Sequence, residues 1–160
     1  MSQSPLHSQS LSSMCRQLKS GALASLDVTR SMLNRCEEYD VTYQSYARLL
    51  TETALAEAQA CDEARQQGAQ LGLLHGVPIA IKDLLFTAGV ETASGTDVMR
   101  DFKPNYDATV VTRLRSAGAS LSVRHNLLKG PMVAITPQLL RQLILGRRMP
   151  GAASLPRGQV

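Results

Sequence analysis

Apolar residues recur at helical spacing in three segments of the first 70 positions. A short helix is predicted over residues 11–19, with Ser10 available as its N-terminal cap and Gly21 just past its end. A second is predicted over residues 25–39, where Leu26, Thr29, Leu33 and Cys36 form one stripe and Ser25 is placed to cap the first turn. A third, rich in Ala and Glu, covers residues 51–67 and ends at Gly68. Residues 41–50 are ambiguous, and we predict extended chain there.

The pattern then changes to a short, β-branched run over residues 77–82. A run of this length next to Gly76 predicts a buried strand, and this strand ends on Lys82. Burial favours the neutral form of an amine, and a neutral amine can accept a proton. The alternative is that the apolar stem of Lys82 lies along the strand while its ammonium reaches water, which is the more common situation for an isolated lysine.

Residues 87–101 are predicted to be mostly loop, with Gly89 and Gly95 available for positive φ. Asp107 is predicted to cap a helix that runs to Ser116 and ends at Gly118. In that helix Val110, Val111 and Leu114 should face inward, and Arg113 and Arg115 outward. This order of helices, strand and helix predicts an α/β architecture with a mixed sheet.

Three consecutive segments, residues 74–83, 86–96 and 107–119, resemble the amidase signature family, and a looser match extends back to about Ser10. The resemblance implies that residues 1–119 are the N-terminal part of an amidase signature domain, so the α/β fold would be incomplete. It also implies hydrolysis or transfer of small carboxamides by a Ser nucleophile, a bridging Ser held by a cis peptide, and a Lys base. Lys82 falls on the position of that Lys, and no cofactor or metal is implied.

The chain departs from the family where the bridging Ser is expected. Its nearest equivalent of the Gly/Ser-rich loop is residues 150–158, in which Ala153 takes the place of the bridging Ser and Ser154 is adjacent. Pro156 and Arg157 replace the small residues that would let the loop close around a substrate. The second Gly-rich turn, which carries the nucleophile, is absent. We therefore expect the chain as written to be truncated and inactive.

The net charge of the chain changes after residue 119, where the resemblance to the family ends. Residues 1–119 hold 11 Lys/Arg and 13 Asp/Glu, whereas residues 120–160 hold six Lys/Arg and no acid, so the net charge passes from −2 to +6. Back-translated and read in a shifted frame, residues 120–160 permit a continuation that looks like the family's, ending in a Ser/Gly run. Our hypothesis is that a single-base deletion near the codon of Ala119 shifted the frame. Residues 120–160 would then be a poorly ordered, non-family tail, and the isolated chain would be marginally stable.

Composition argues against several other classes. The six basic residues of the tail are scattered, and no aromatic residue follows Tyr106, which disfavours nucleic-acid binding. No apolar run approaches the roughly 20 residues that span a bilayer, and the polar N-terminus lacks a secretory signal, so a cytoplasmic protein is expected. Cys15, Cys36 and Cys61 have no zinc or disulfide spacing and are expected to pack as small apolar residues.

Six further residues are weaker candidates for a site. His75 lacks a placed Ser or Cys partner and is expected to hydrogen-bond local backbone, and Asp83 is expected to cap a turn or helix rather than pair with Lys82. The other four, Thr92, Ser94, Gly95 and Thr96, align with a family segment near the substrate channel, although loop turns explain them more simply. Two functional alternatives also remain: a subunit of an amidotransferase, and a non-catalytic module that binds partners through its helices or basic tail.

Overall fold

Four helices and three strands make up the described part of the computed structural model, which covers residues 5–95 and 97–125. The helices are α1 (Leu11–Ser20), α2 (Ser25–Tyr43), α3 (Thr51–Gln66) and α4 (Thr109–Ser116). The strands are β1 (Tyr46–Leu49), β2 (Pro78–Lys82) and β3 (Ser120–His125), and short 3₁₀ turns lie at Leu6–Ser8 and Asp97–Met99. The predictions made for residues 126–160 lie outside the described residues.

The three strands form a mixed sheet in the order β1-β3-β2. Strand β3 lies in the middle, parallel to β2 and antiparallel to β1. The α/β prediction with a mixed sheet is confirmed. The strand predicted over residues 77–82 is present as β2, with Ile81 buried. It is an outer strand of the described sheet, and Ala80 is exposed.

The middle strand comes from the first six residues of the predicted tail. Leu121 is 3% exposed and packs with Ile81 of β2 and Val111 of α4. Residues 120–125 alternate polar and apolar up to Val123, which is the pattern of a strand with one buried face. The described fold therefore continues past residue 119, whereas the proposed reading-frame break near that residue stays a prediction.

The register of β3 is irregular next to β2. Ile79 pairs with Leu121, and the following residue, Ala80, pairs with Val123. At this irregularity the Leu121 N–H donates to the Glu57 carboxylate of α3 at 2.8 Å. The other carboxylate oxygen of Glu57 accepts from Arg115 at 2.8 Å, so α3 and α4 are tied together beside the bulge. A side chain thus supplies an acceptor where the strand ladder is interrupted.

Helix α1 follows its prediction closely. Ser10 accepts a hydrogen bond from the Ser13 N–H at 3.3 Å, and Gly21 ends the helix with φ +77°. Met14 and Leu18 are buried against Val28 of α2. Helix α2 runs four residues further than predicted, to Tyr43, so residues 41–43 are helical and only the rest of the ambiguous segment contains strand β1.

Two predicted helix caps are wrong. Ala24, not Ser25, is the capping residue of α2; Ser25 is the first helical residue, and its hydroxyl donates to the Gly76 carbonyl at 2.7 Å. Ala108, not Asp107, precedes α4, and Asp107 instead accepts from the Ala88 N–H at 2.7 Å. In both cases a tertiary partner competes successfully with the local cap.

The N-terminus of α2 is capped from another helix. Asp62 of α3 accepts from the N–H groups of Ser25 and Leu26 at 2.8 and 3.0 Å. A carboxylate at this position satisfies donors that have no partner within the helix and also interacts favourably with the helix dipole. It fixes α2 to α3 across 36 residues of chain.

We predict that Asp62→Ala lowers the free energy of unfolding by about 2 kcal/mol, because two charge-assisted hydrogen bonds and a dipole interaction are lost. Asp27→Ala is the matched control, since Asp27 lies in the first turn of the same helix but its side chain is 69% exposed. The control should lose less than about 1 kcal/mol. Urea denaturation measures both, and equal midpoints for the two variants would contradict the capping role.

Candidate active site

Lys82 is the last residue of β2 and lies at the carboxyl end of two parallel strands. It is half-buried and pairs in register with His125 of β3, which in turn pairs with Tyr46 of β1. The Leu85 N–H donates to the Lys82 carbonyl at 2.9 Å, so the chain turns immediately after the strand. In open α/β sheets this end of the strands is where ligands bind.

Asp83, the next residue, holds a distant turn against the end of β2. It is 5% exposed, and its carboxylate accepts the Ser94 N–H at 3.1 Å. Ser94 and Gly95 both have positive φ, +51° and +69°. The expected role of Asp83 in a turn agrees with this contact, although the turn lies 11 residues away rather than beside it.

The loop after Lys82 is fixed by backbone pairing between its two arms. Gly89 N–H donates to the Pro104 carbonyl and Thr92 N–H to the Phe102 carbonyl, each at 2.9 Å, and Ala108 N–H donates to Phe86 at 2.8 Å. Thr92 is fully buried. The segment predicted as mostly loop is therefore part of two backbone-paired arms, residues 86–92 and 102–108, with one 3₁₀ turn between them; this region is here called the lobe. Thr96 lies outside the described residues.

Aromatic rings cover one side of this lobe. The Phe86 ring lies 5.6 Å from that of Phe102 and 5.7 Å from that of Tyr106, between centroids. Phe102 and Tyr106 are 42% and 57% exposed. Tilted and edge-on contacts of this kind stabilise the lobe beyond simple burial.

An ion pair ties the lobe to the far side of the sheet. Arg48 of β1 forms a salt bridge with the Glu91 carboxylate and donates to the Glu91 carbonyl at 3.4 Å. The other oxygen of Glu91 accepts from the Asp101 N–H at 3.4 Å. Sequence reasoning missed both residues, because 43 positions separate them and neither lies in a distinctive pattern.

His75 does not contribute to this arrangement. It is 9% exposed, and its Nε2 lies 2.9 Å from the Cys61 carbonyl of α3. His75 bonds to a backbone carbonyl, but the prediction that this backbone is local is wrong, because the carbonyl belongs to a helix 14 residues earlier. Gly118 passes so close to the His75 backbone that a Cβ there would meet its Cα at 3.0 Å.

The three cysteines are free thiols on α1, α2 and α3. Burial raises the pKa of each of them, so little thiolate forms near neutral pH. Cys15 and Cys36 pack against core clusters, as expected of small apolar side chains. Among residues 5–95 and 97–125 no group of three His, Cys, Asp or Glu could hold a metal ion. No helix in the same part of the chain is long and apolar enough to cross a membrane.

Comparison with known proteins identifies the family. The family model described as Amidase matches residues 27–140, so the chain belongs to the amidase family. AmiD of Mycobacterium tuberculosis, which carries an amidase name, is 45% identical over 122 residues, covering 76% of this chain and 26% of the relative. A glutamyl-tRNA(Gln) amidotransferase subunit from Chloroflexus aurantiacus is 36% identical, covering 97% of this chain and 34% of the relative.

The solved structures agree. The peptide amidase of Stenotrophomonas maltophilia superposes with a TM-score of 0.72 at 32% identity, covering 77% of this chain and 26% of that one. A bacterial aryl acylamidase of the amidase signature family gives the same TM-score at 22% identity and shows the shared fold. This chain therefore spans about a quarter to a third of the curated relatives it matches, at 26% and 34% of their length. The family match continues past residue 119, to residue 140.

Tyr46 gives a spectroscopic probe of the sheet beside Lys82. Burial, with a smaller contribution from the Cys36 thiol, raises the pKa of Tyr46 from 10.0 to about 12. The folded chain holds the phenolic proton more tightly than the unfolded chain. The stability from this group is therefore complete below pH 10 and is lost as the pH rises through about 12.

We predict that tyrosinate absorbance includes one ionisation near pH 12 that disappears in Tyr46→Phe. Tyr43→Phe is the matched control, because Tyr43 is 69% exposed, and it should keep this step. If the step near pH 12 survives in Tyr46→Phe, it does not belong to Tyr46, which contradicts the raised pKa of that residue.

Proposed function

We propose that Lys82 is the general base of a carboxamide-cleaving site. Two observations support this: Lys82 ends a strand at the carboxyl edge of parallel strands, and it lies within the stretch matched by the amidase family model. A half-buried lysine that ends a strand is well placed to receive a proton from a hydroxyl group. The backbone-paired lobe that follows Lys82 keeps the end of the strand in place.

The chemistry proceeds by acyl transfer. A Ser hydroxyl is a weak nucleophile, so a base must take its proton as it attacks the amide carbon. In the family arrangement this proton passes through a bridging Ser to Lys82, which returns it to the leaving nitrogen. Ammonia or an amine departs, an acyl-enzyme remains, and water or another acceptor then releases the acyl group. Backbone N–H groups stabilise the oxyanion in both steps.

The bridging Ser is the part of this system that the 160 residues lack in our proposal. Ala153 stands where that Ser is expected, and its methyl group cannot pass a proton between a nucleophile and Lys82. We therefore expect the 160-residue chain to release no ammonia from carboxamides.

A shifted reading frame accounts for the missing bridging Ser. The change from a net charge of −2 to +6 and the latent Ser/Gly run coincide near Ala119. Strand β3 is compatible with this break, because a six-residue strand requires only alternating apolar positions and backbone donors and acceptors. Sequencing the coding DNA tests the idea, and a coding sequence with no open shifted frame would overturn it.

A second candidate function is that of an amidotransferase component. It is favoured by the relatives named as glutamyl-tRNA(Gln) amidotransferase subunits, one of which matches 97% of this chain. The chemistry at Lys82 would be the same, but glutamine would be the amide and the ammonia would be passed on. Preference for glutamine over simple aliphatic and aromatic carboxamides separates the two candidates.

The activity test compares the chain as written with the product of a coding sequence in which one base is restored near the codon of Ala119. We expect ammonia release from simple carboxamides or glutamine only from the restored product. In that product Lys82→Ala should lower kcat/KM by at least about a hundredfold, the usual contribution of a positioned proton-transfer group.

Lys19→Ala is the matched control, since Lys19 lies in the last turn of α1 and is exposed. It should leave kcat/KM unchanged. Activity of the 160-residue chain would refute the proposed inactivity, and full activity of the Lys82→Ala variant would refute the role of Lys82 as base.

A further inference from the structure

The segment from Glu91 to Ser94, here called the crossing segment, is anchored to both outer strands of the described sheet. Its first residue binds Arg48 of β1, and its last donates its N–H to Asp83, directly after β2. Because β3 lies between β1 and β2, the anchors lie about two strand spacings, or roughly 10 Å, apart. Three residues of extended chain cover the same distance, at about 3.3 Å each.

The Asp83 anchor does more than join two loops. A buried carboxylate requires hydrogen-bond donors, and the Ser94 N–H supplies one at 3.1 Å. Ser94 is in the left-handed region, at φ +51°, which is unfavourable for a residue with a Cβ. Such a conformation persists only where the surroundings enforce it, and the charge-assisted bond to Asp83 provides that constraint.

Arg48 forms two contacts with Glu91, because its guanidinium donates to both the carboxylate and the carbonyl of that residue. Between the two anchors Thr92 is fully buried, and its N–H donates to the Phe102 carbonyl at 2.9 Å. The crossing segment is therefore held at its start, middle and end. A segment fixed in this way can act as a rigid wall beside a reactive group.

We infer that Asp83 and Arg48 are positioning residues, and that the crossing segment they hold restricts access to the Lys82 amine from one side. The inference rests on the proposed function only because that function makes Lys82 the general base. The contacts of Asp83 and Arg48 belong to the described fold. Asp83 is joined to Lys82 by one peptide bond, so the position of the Ser94 turn is transmitted directly to the end of β2.

The first measurement is amide hydrogen exchange on the 160-residue chain and four variants. Asp83→Ala and Arg48→Ala each remove one anchor. Asp27→Ala and Arg30→Ala are the matched controls, because they remove the same residue types from an exposed ion pair on α2. Loss of either anchor should speed exchange at residues 92–95 by at least about tenfold, while α1 stays protected. The controls should leave residues 92–95 unchanged.

The second measurement reports on Lys82 itself. Competitive acylation with acetic anhydride compares the labelling of Lys82 with that of exposed Lys19 in the same molecule. Asp83→Ala should raise this ratio several-fold, and Asp83→Asn, which keeps an acceptor for the Ser94 N–H, should raise it less. If both variants protect α1 from exchange equally, a general loss of stability cannot explain a higher Lys82 ratio in Asp83→Ala than in Asp83→Asn.

The outcomes are distinct. Faster exchange at residues 92–95 together with a higher Lys82 ratio supports the inference. Unchanged exchange at residues 92–95, or faster exchange with an unchanged Lys82 ratio, overturns it. If Asp83→Ala does not fold, Arg48→Ala decides by the same two readouts. Because no turnover is measured, failure of this inference is separable from failure of the proposed amidase chemistry.

Discussion

The pairing of β2 with β3 is the interaction on which the position of Lys82 depends. Lys82 ends β2, and its neighbour across the ladder is His125, the last residue of β3. A slip of one residue would turn every side chain of β2 to the opposite face and exchange buried Ile81 for Lys82. The register is therefore strongly specified by the burial of Ile81, Leu121 and Val111.

Carboxylates connect elements that are distant in the sequence. Glu57 binds the Leu121 N–H where β3 is irregular, Asp62 caps α2, and Asp83 binds the Ser94 N–H after β2. Each acid accepts from a backbone N–H group that has no partner within the helix, strand or turn to which that N–H group belongs. Hydrogen bonds between a charged acceptor and a backbone N–H contribute more than neutral ones, so a few acids fix several connections at once. The folded chain thus uses these acidic residues as internal acceptors.

Local patterns predicted the elements better than they predicted the contacts. Spacing of apolar residues located α1, α3 and β2 to within a residue or two, because helix and strand periods depend on neighbours in the sequence. Lys82 stood out because it ends an apolar run and lies within a family-like segment. The capping role of Ser25 was mistaken because its hydroxyl donates to the Gly76 carbonyl and Asp62, 37 residues away, accepts from its N–H. No local pattern reveals such tertiary partners. The Arg48–Glu91 pair was missed for the same reason.

Strand β3 shows how little a short middle strand demands of its sequence. Backbone donors and acceptors form the ladder whatever the side chains are, and Leu121 supplies the buried contact with Ile81 and Val111. A catalytic loop is different, because nucleophile, proton carrier and oxyanion donors must each be a particular group at a particular place. Many six-residue sequences with one apolar residue at the position of Leu121 can therefore form this strand, whereas few sequences can form a catalytic loop. The sheet that positions Lys82 thus depends on less specific features of the sequence than the proposed reaction does.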